Sequence, residues 1–333
     1  MLAINNNKDM NESTQKPASG IRIIYMGTPD FAVEPLRRLV EGNYNIVAVI
    51  TMPDKPVGRH HDVLQQSPVK QYALAHGIPV LQPEKLKDEA FLEELRSYKA
   101  DLQVVVAFRM LPEVVWAMPR LGTFNLHAAL LPQYRGAAPI NWAIINGDKQ
   151  TGITTFFLDH DIDTGQVIYR EAVPIHDDDD VEAVHDRLMM LGAELVLKTV
   201  DDVEKGTVNP IPQSQLTTDG PLHPAPKIFK ETCQIRWGEL TARQVYNFVR
   251  GLSPYPAAWT TLDGVMLKIY KTRVASETNL AKPGTLEGDG RTYLRVACKQ
   301  GWVDILSLQL AGKKRMPVED FLRGAHITAE CVL

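Results

Sequence analysis

Residues 102–107 read LQVVVA. A run apolar at nearly every position suits a parallel β-strand covered on both faces, because a strand with one wet face alternates apolar and polar. Working outward, residues 21–26 form a second short apolar strand. It ends in Gly27-Thr28-Pro29-Asp30, where glycine allows a tight turn, and 31–40 then has helical spacing. Two further strands are predicted at 45–51 and 122–127, with helices at 67–76 and 88–98. Strand and helix in alternation predict an α/β fold with a mostly parallel, Rossmann-like sheet and right-handed crossovers. Residues 153–158 and 166–173 read as additional strands, and a long helix is predicted from 181 to about 205.

The chain has 333 residues, which suits two domains better than one small core. Residues 209–227, NPIPQSQLTTDGPLHPAPK, carry five prolines and read as an extended, semi-rigid linker. After it come a helix at 241–250 and short strands at 258–262, 265–274, 284–287, 293–297 and 302–310, separated by Gly and Asp turns. Five short strands in so few residues predict a small OB-like β-barrel. The expected organisation is a disordered tail over 1–20, a catalytic domain over 21–208, a linker over 209–228 and the β-domain over 229–333.

The net charge of -4 is unevenly spread. Residues 229–333 hold 15 Lys+Arg against 10 Asp+Glu, whereas 1–228 hold 21 against 30. A basic C-terminal third on an acidic body favours a polyanionic partner. No apolar stretch approaches the ~18 residues of a membrane span. The polar N-terminus lacks the apolar segment of a secretory signal, so a cytoplasmic protein is expected. Cys233, Cys298 and Cys331 are far apart and fit reduced structural thiols.

Chemistry concentrates in residues 122–139, GTFNLHAALLPQYRGAAP. Alternate residues of a strand share a face, so Asn125 and His127 point the same way at the strand's carboxyl end, where open α/β sheets bind ligands. An asparagine amide can donate to a developing oxyanion, and histidine can act as acid or base near neutral pH. Pro132 stiffens the following turn, and Arg135-Gly136 places an anion-pairing side chain beside flexible backbone. A second polar turn, Asp163-Thr164-Gly165, lies within LDHDIDTGQV, 158–167. Its D-x-D-x-D spacing starts like an EF-hand. Calcium is excluded, because Thr164 stands where that loop needs glycine and Arg170 where it needs a bidentate Glu. A carboxylate at such a turn suits orienting a histidine or moving a proton.

These residues, with RIIYMGTPDFA (22–32), TMPDKPVGR (51–59), SPVK (67–70), NLHAALLPQYRGAAPINW (125–142), IDTGQVIY (162–169), RGLSPYPAAW (250–259) and LSLQLAGKKRM (306–316), resemble the methionyl-tRNA formyltransferases, within the wider group of 10-formyltetrahydrofolate-dependent formyltransferases. The resemblance implies a catalytic set of Asn125, His127 and Asp163. The reaction it implies is attack by the methionyl α-amino group of initiator methionyl-tRNA on the formyl carbon at N10 of tetrahydrofolate. It further implies folate contacts from Phe108, Arg109, Met110, Ala129, Leu130, Leu131 and Pro132, and tRNA contacts from Lys55 and Arg59. Lys313, Lys314 and Arg315 form a basic cluster suited to phosphates. 10-Formyltetrahydrofolate enters as co-substrate, no metal is expected, and a monomer suffices.

The chain departs from the family pattern in three places. Ala129 stands where serine is common, so folate is expected to lean on backbone groups there. Ala107-Phe108-Arg109 replaces Ala-Tyr-Gly and sets a bulky cation near the expected pterin pocket. His60-His61-Asp62 follows the loop arginine where relatives carry a lysine pair. Other acceptors, such as sugar amines or ribonucleotides, or simple hydrolysis, would keep the same chemistry; the basic β-domain and the Arg59 loop weigh against them. A nucleotide-dependent oxidoreductase needs G-x-G-x-x-G after the first strand, and 27–32 lacks it. The intact Asn125/His127/Asp163 set argues against a non-catalytic tRNA-binding module.

Overall fold

The computed structural model describes residues 20–57, 63–218 and 220–324. The expected tail, Arg59, the His60-His61-Asp62 run and Cys331 lie outside the described residues. The chain divides into two compact units, Met1–Gly122 and Thr123–Leu333.

The first unit contains β1 (Ile23–Gly27), α1 (Val33–Glu41), β2 (Ile46–Ile50), β3 (Lys55–Val57), β4 (Val63–Gln65), α2 (Pro68–Ala75), β5 (Val80–Leu81), α3 (Glu89–Ser97), β6 (Leu102–Val106) and α4 (Glu113–Trp116). Its parallel sheet runs β5-β2-β1-β6. Every residue of β1 and β6 is buried, which is why both read as nearly continuous apolar runs, with Gln103 the buried polar exception in β6. The SPVK motif is a helix start. Ser67 caps α2 by accepting from the Lys70 N–H, and Pro68 takes the first turn, where no N–H is needed. Lys70 then reaches the Asp54 carboxylate at 2.6 Å, and Gln82 donates to the same group at 2.8 Å. These two hydrogen bonds hold the Asp54 carboxyl below its ordinary range. They also fix the base of the β3–β4 hairpin, which the sequence reading treated as one loop.

The second unit contains β7 (Thr123–His127), α5 (Pro139–Ile145), β8 (Gln150–Phe157), β9 (Val167–Pro174), α6 (Val181–Lys205), α7 (Ala242–Leu252), β10 (Ala258–Leu262), β11 (Val265–Ser276), β12 (Leu286–Gly288), β13 (Leu294–Ala297), β14 (Trp302–Leu310), β15 (Met316–Pro317) and α8 (Val318–Gly324). β7, β8 and β9 pair antiparallel. The acidic run before α6 is structural. Asp180 caps the helix, accepting from the Ala183 N–H, and Asp179 accepts from both arms of Arg187 and from the His176 N–H.

The C-terminal β-domain is antiparallel, in the order β10-β11-β14-β13-β12 with β15 on β14, around one core that also takes in α7 and α8. The sequence found all five of its longer strands and missed the two-residue β15. α7 joins this domain to α5. Gly251 of α7 lies so close that a Cβ there would stand 2.7 Å from Ile145 Cγ1, and Asn141 donates to the Gly251 carbonyl. Arg250, 7% exposed, donates to the carbonyls of His176 and Asp179. The RGL of the RGLSPYPAAW motif is thus an internal joint.

The segment over 209–227 is no free spacer. Ile211 bridges to Val167, and Ala225 bridges to Gly136, so the chain lies along the 130–136 loop.

Candidate active site

Two segments of the second unit deliver the candidate catalytic side chains: β7 carries Asn125 and His127, and the β8–β9 connection carries Asp163. β7 presents Asn125 and His127 on one face, while Leu126 on the other packs against Gly192 of α6. Asn125 is half-buried, and its amide has no hydrogen bond among the described residues, which leaves two donors available. His127 is 6% exposed. Its Nε2 lies 2.8 Å from the Tyr134 carbonyl oxygen. A carbonyl only accepts, so Nε2 carries the hydrogen and the neutral ring keeps its lone pair on Nδ1.

Nδ1 faces Asp163 Oδ2 at 3.8 Å. That is too long for a direct hydrogen bond but well within Coulomb range. Asp163 has φ +56, a left-handed conformation uncommon outside glycine. The surroundings hold it there. Its carboxylate accepts from the Gly136 N–H at 2.9 Å, and its carbonyl accepts from Gln213 Nε2 at 2.8 Å. The glycine of Asp-Thr-Gly is required by space: a Cβ on Gly165 would stand 1.7 Å from the Phe157 carbonyl oxygen. Asp159, the first acid of the EF-hand-like run, is occupied by the Asp161 N–H and the Thr164 hydroxyl.

The 130–136 loop connects these parts. Thr154 of β8, fully buried, donates to the Ala129 carbonyl at 2.7 Å and accepts from the Leu131 N–H at 3.1 Å. Arg135 makes no carboxylate pair among the described residues; it donates twice to Gln213 Oε1. Gln213 therefore ties Arg135 to the Asp163 turn. Neither Gln213 nor Thr154 carried a signal in the sequence, since Gln213 sits in a Pro-rich run and Thr154 in an ordinary strand.

The residues expected at folate differ in burial. Ala129 and Leu131 are fully buried, with Leu131 packed on Phe156 and Val167. Thr154 holds the Ala129 carbonyl, so any backbone contact to folate at Ala129 falls to its N–H. Pro132 is also buried, and Leu130 is half-exposed. In the first unit, Arg109 does not project as a free cation. It donates to the carbonyls of Glu84 and Pro83, and partial burial lowers its pKa. Met110 is 72% exposed, and Phe108 is half-buried.

The proposed tRNA residues are surface groups. Lys55 is exposed at the start of β3. Lys313, Lys314 and Arg315 lie in the exposed turn between β14 and β15. Arg315 is fastened, donating to Ser307 Oγ and stacking 4.4 Å over the Tyr270 ring. Among the described residues no cluster of three or more His, Cys, Asp or Glu side chains is arranged to hold a metal, and no helix is long and apolar enough to cross a membrane.

The sequence pattern described as Formyl transferase matches residues 21–200, and that described as Formyl transferase, C-terminal domain matches 227–326. The chain belongs to the formyl transferase family and, within it, groups with the methionyl-tRNA formyltransferases. It is 62% identical over 313 residues to the methionyl-tRNA formyltransferase of Bacteroides fragilis, covering 92% of this chain and 96% of that one. It is 63% identical over 316 residues to that of Parabacteroides distasonis, covering 93% and 97%. Among solved structures, HypX from Aquifex aeolicus in complex with tetrahydrofolic acid shares the fold with TM-score 0.62 at 19% identity, over 92% of this chain and 48% of that one. An N-formyltransferase from Helicobacter canadensis gives TM-score 0.61 at 19% identity, over 89% and 100%.

Proposed function

We propose that this chain formylates initiator methionyl-tRNA in the cytoplasm, taking the formyl group from 10-formyltetrahydrofolate. The methionyl amine attacks the formyl carbon, a C–N bond forms, and the bond to N10 of the folate breaks. The amine must lose a proton and N10 must gain one. An α-amino group has a reference pKa of ~7.7–8.0, so a usable fraction is neutral near pH 7.

The observation that carries this reading is the fixed tautomer of His127. With Nε2–H committed to Tyr134, Nδ1 is the nitrogen that works, and it faces a carboxylate 3.8 Å away. In the proposed cycle Nδ1 and Asp163 receive the amine proton and return it to N10. Once protonated, the imidazolium sits beside Asp163 and, with the open Asn125 amide, stabilises the oxyanion of the tetrahedral intermediate. Gly136 and Gln213 hold Asp163 in place for this step.

Phe108, Met110 and Leu130 are assigned to the folate. Arg109, Ala129, Leu131 and Pro132 support the segments that carry those contacts. Lys55, Arg59, Lys313, Lys314 and Arg315 are assigned to tRNA phosphates, with the working boundary between catalytic and RNA-binding portions at 209–228. The chain is expected to act as a monomer.

The test supplies 10-formyltetrahydrofolate with charged initiator tRNA and follows formyl transfer. Formylmethionyl-tRNA is the expected product. Transfer to a free sugar amine, with none to the tRNA, would overturn the assignment.

A further inference from the structure

Against the 130–136 loop lies a cavity of about 280 Å³, lined by residues of the second unit. Leu130, Gln133 and Tyr134 form one wall, Gln150 and Arg170 of β8 and β9 another, and His223 a third. We propose that this cavity is a binding site for an oxyanion of the phosphate class, with Arg170 as its cationic anchor.

Arg170 carries the argument. In the β8–β9 register it stands opposite Thr154, whose side chain reaches the 129–131 backbone, so Arg170 lies on the loop side of the sheet. Its Nε is shielded from solvent and has no hydrogen-bond partner. The guanidinium makes no ion pair or hydrogen bond among the described residues. Burial pulls its pKa down, as it must when a cation is desolvated without a counter-charge. Arg170 as a whole is half-buried, and a guanidinium with a shielded Nε and no counter-charge, facing a cavity, is suited to an incoming anion.

The charges around it leave that role to Arg170. Lys149 is exposed and pairs with Asp177 at 2.9 Å. Asp148, a carboxylate in the lining, accepts from the Tyr134 hydroxyl at 2.6 Å, a bond that fixes its place without cancelling its charge, so Arg170 is the group that must hold the anion against it. Gln133 is committed in both directions, donating to the Pro221 carbonyl and accepting from the His223 N–H. Thr217 and Thr218 also line the cavity, and their hydroxyls have no hydrogen bond among the described residues. The volume falls just below the range of drug-sized sites, which suits a phosphate group rather than an extended ligand. Free phosphate and a phosphate of bound RNA share this chemistry.

The test uses the full chain with inorganic phosphate as probe, read by calorimetric titration and thermal shift. Wild type should bind phosphate, and Arg170→Met should weaken binding at least 10-fold, while Lys87→Ala, at an exposed lysine with no assigned role, leaves it unchanged. Arg170→Lys, which keeps the charge, should recover part of the affinity. Because Arg170 has no internal partner, Arg170→Met without phosphate should melt no lower than wild type. Displacement of phosphate by charged tRNA would identify the RNA phosphate as the source. Retention of phosphate alongside tRNA would identify the free ion. Equal phosphate affinity in wild type and Arg170→Met, no binding to wild type at tens of millimolar, or a phosphate-free Arg170→Met that melts clearly below wild type would each overturn the proposal.

Discussion

The 130–136 loop and the 311–315 turn both present an arginine in a short polar connection, yet they are built in opposite ways. In the first, Thr154, Gln213, Asp163 and the 223–225 backbone each hold a part of the loop, and its own Tyr134 carbonyl holds His127. In the second, Arg315 is fastened by Ser307 and Tyr270 while Lys313 and Lys314 project into solvent. The contrast follows from what each does in the proposed function. Proton transfer requires atoms fixed to within a fraction of an ångström, whereas phosphate contacts require accessible charge that tolerates movement.

The largest effect should come from breaking the fixed region at its centre. His127→Ala is expected to lower kcat by more than ~100-fold while the melting temperature stays near wild type. A variant that unfolds, or one that turns over normally, would remove the basis of the comparison. Next comes Gln213, which touches no reacting atom in the proposed cycle. Gln213→Ala should lower kcat roughly 10-fold through misplacement of Asp163, with KM for tRNA little changed. A change in KM alone would mean that Gln213 serves binding instead of positioning.

A smaller effect should appear in acid. Burial works against ionisation of Asp179, but its Arg187 and His176 bonds outweigh that and hold the carboxyl below its ordinary range. A carboxyl depressed in the folded state stabilises the fold above its unfolded pKa and loses that contribution as pH falls through its folded value. Wild type should therefore lose stability below about pH 4, and Asp179→Asn should lose on the order of 1–3 kcal/mol less over the same interval. Parallel melting curves against pH would show that Asp179 contributes nothing. The smallest effect is expected at the exposed charges. Lys313→Ala with Lys314→Ala should weaken tRNA binding several-fold and reduce the salt slope by about 1–2, leaving kcat on saturating tRNA unchanged.

The same contrast explains what could be read from the sequence. β1 and β6 were legible because burial on both faces leaves a nearly continuous apolar run, and the β10, β11 and β14 strands because Gly and Asp turns frame them. Asn125, His127 and Asp163 were legible as motif residues on a strand end and a turn. The fixing of that site was not. Gln213 acts across 50 residues to reach the Asp163 carbonyl, and Thr154 across 25 to reach Ala129. Neither has a local pattern that announces a long-range hydrogen bond. The surroundings of Ala129 and Arg109 were hidden for the same reason: the motif gives their positions, but not that Ala129 is fully buried or that Arg109 donates to the 83–84 backbone.

The central claim is that a carboxylate held at Asp163 completes proton transfer through His127. Single-turnover formyl transfer by Asp163→Asn, measured with saturating charged tRNA and 10-formyltetrahydrofolate, tests it most directly. The amide can still accept from the Gly136 N–H but carries no charge. The account predicts a rate at least ~100-fold below wild type with tRNA affinity retained. A rate within a few-fold of wild type would contradict it.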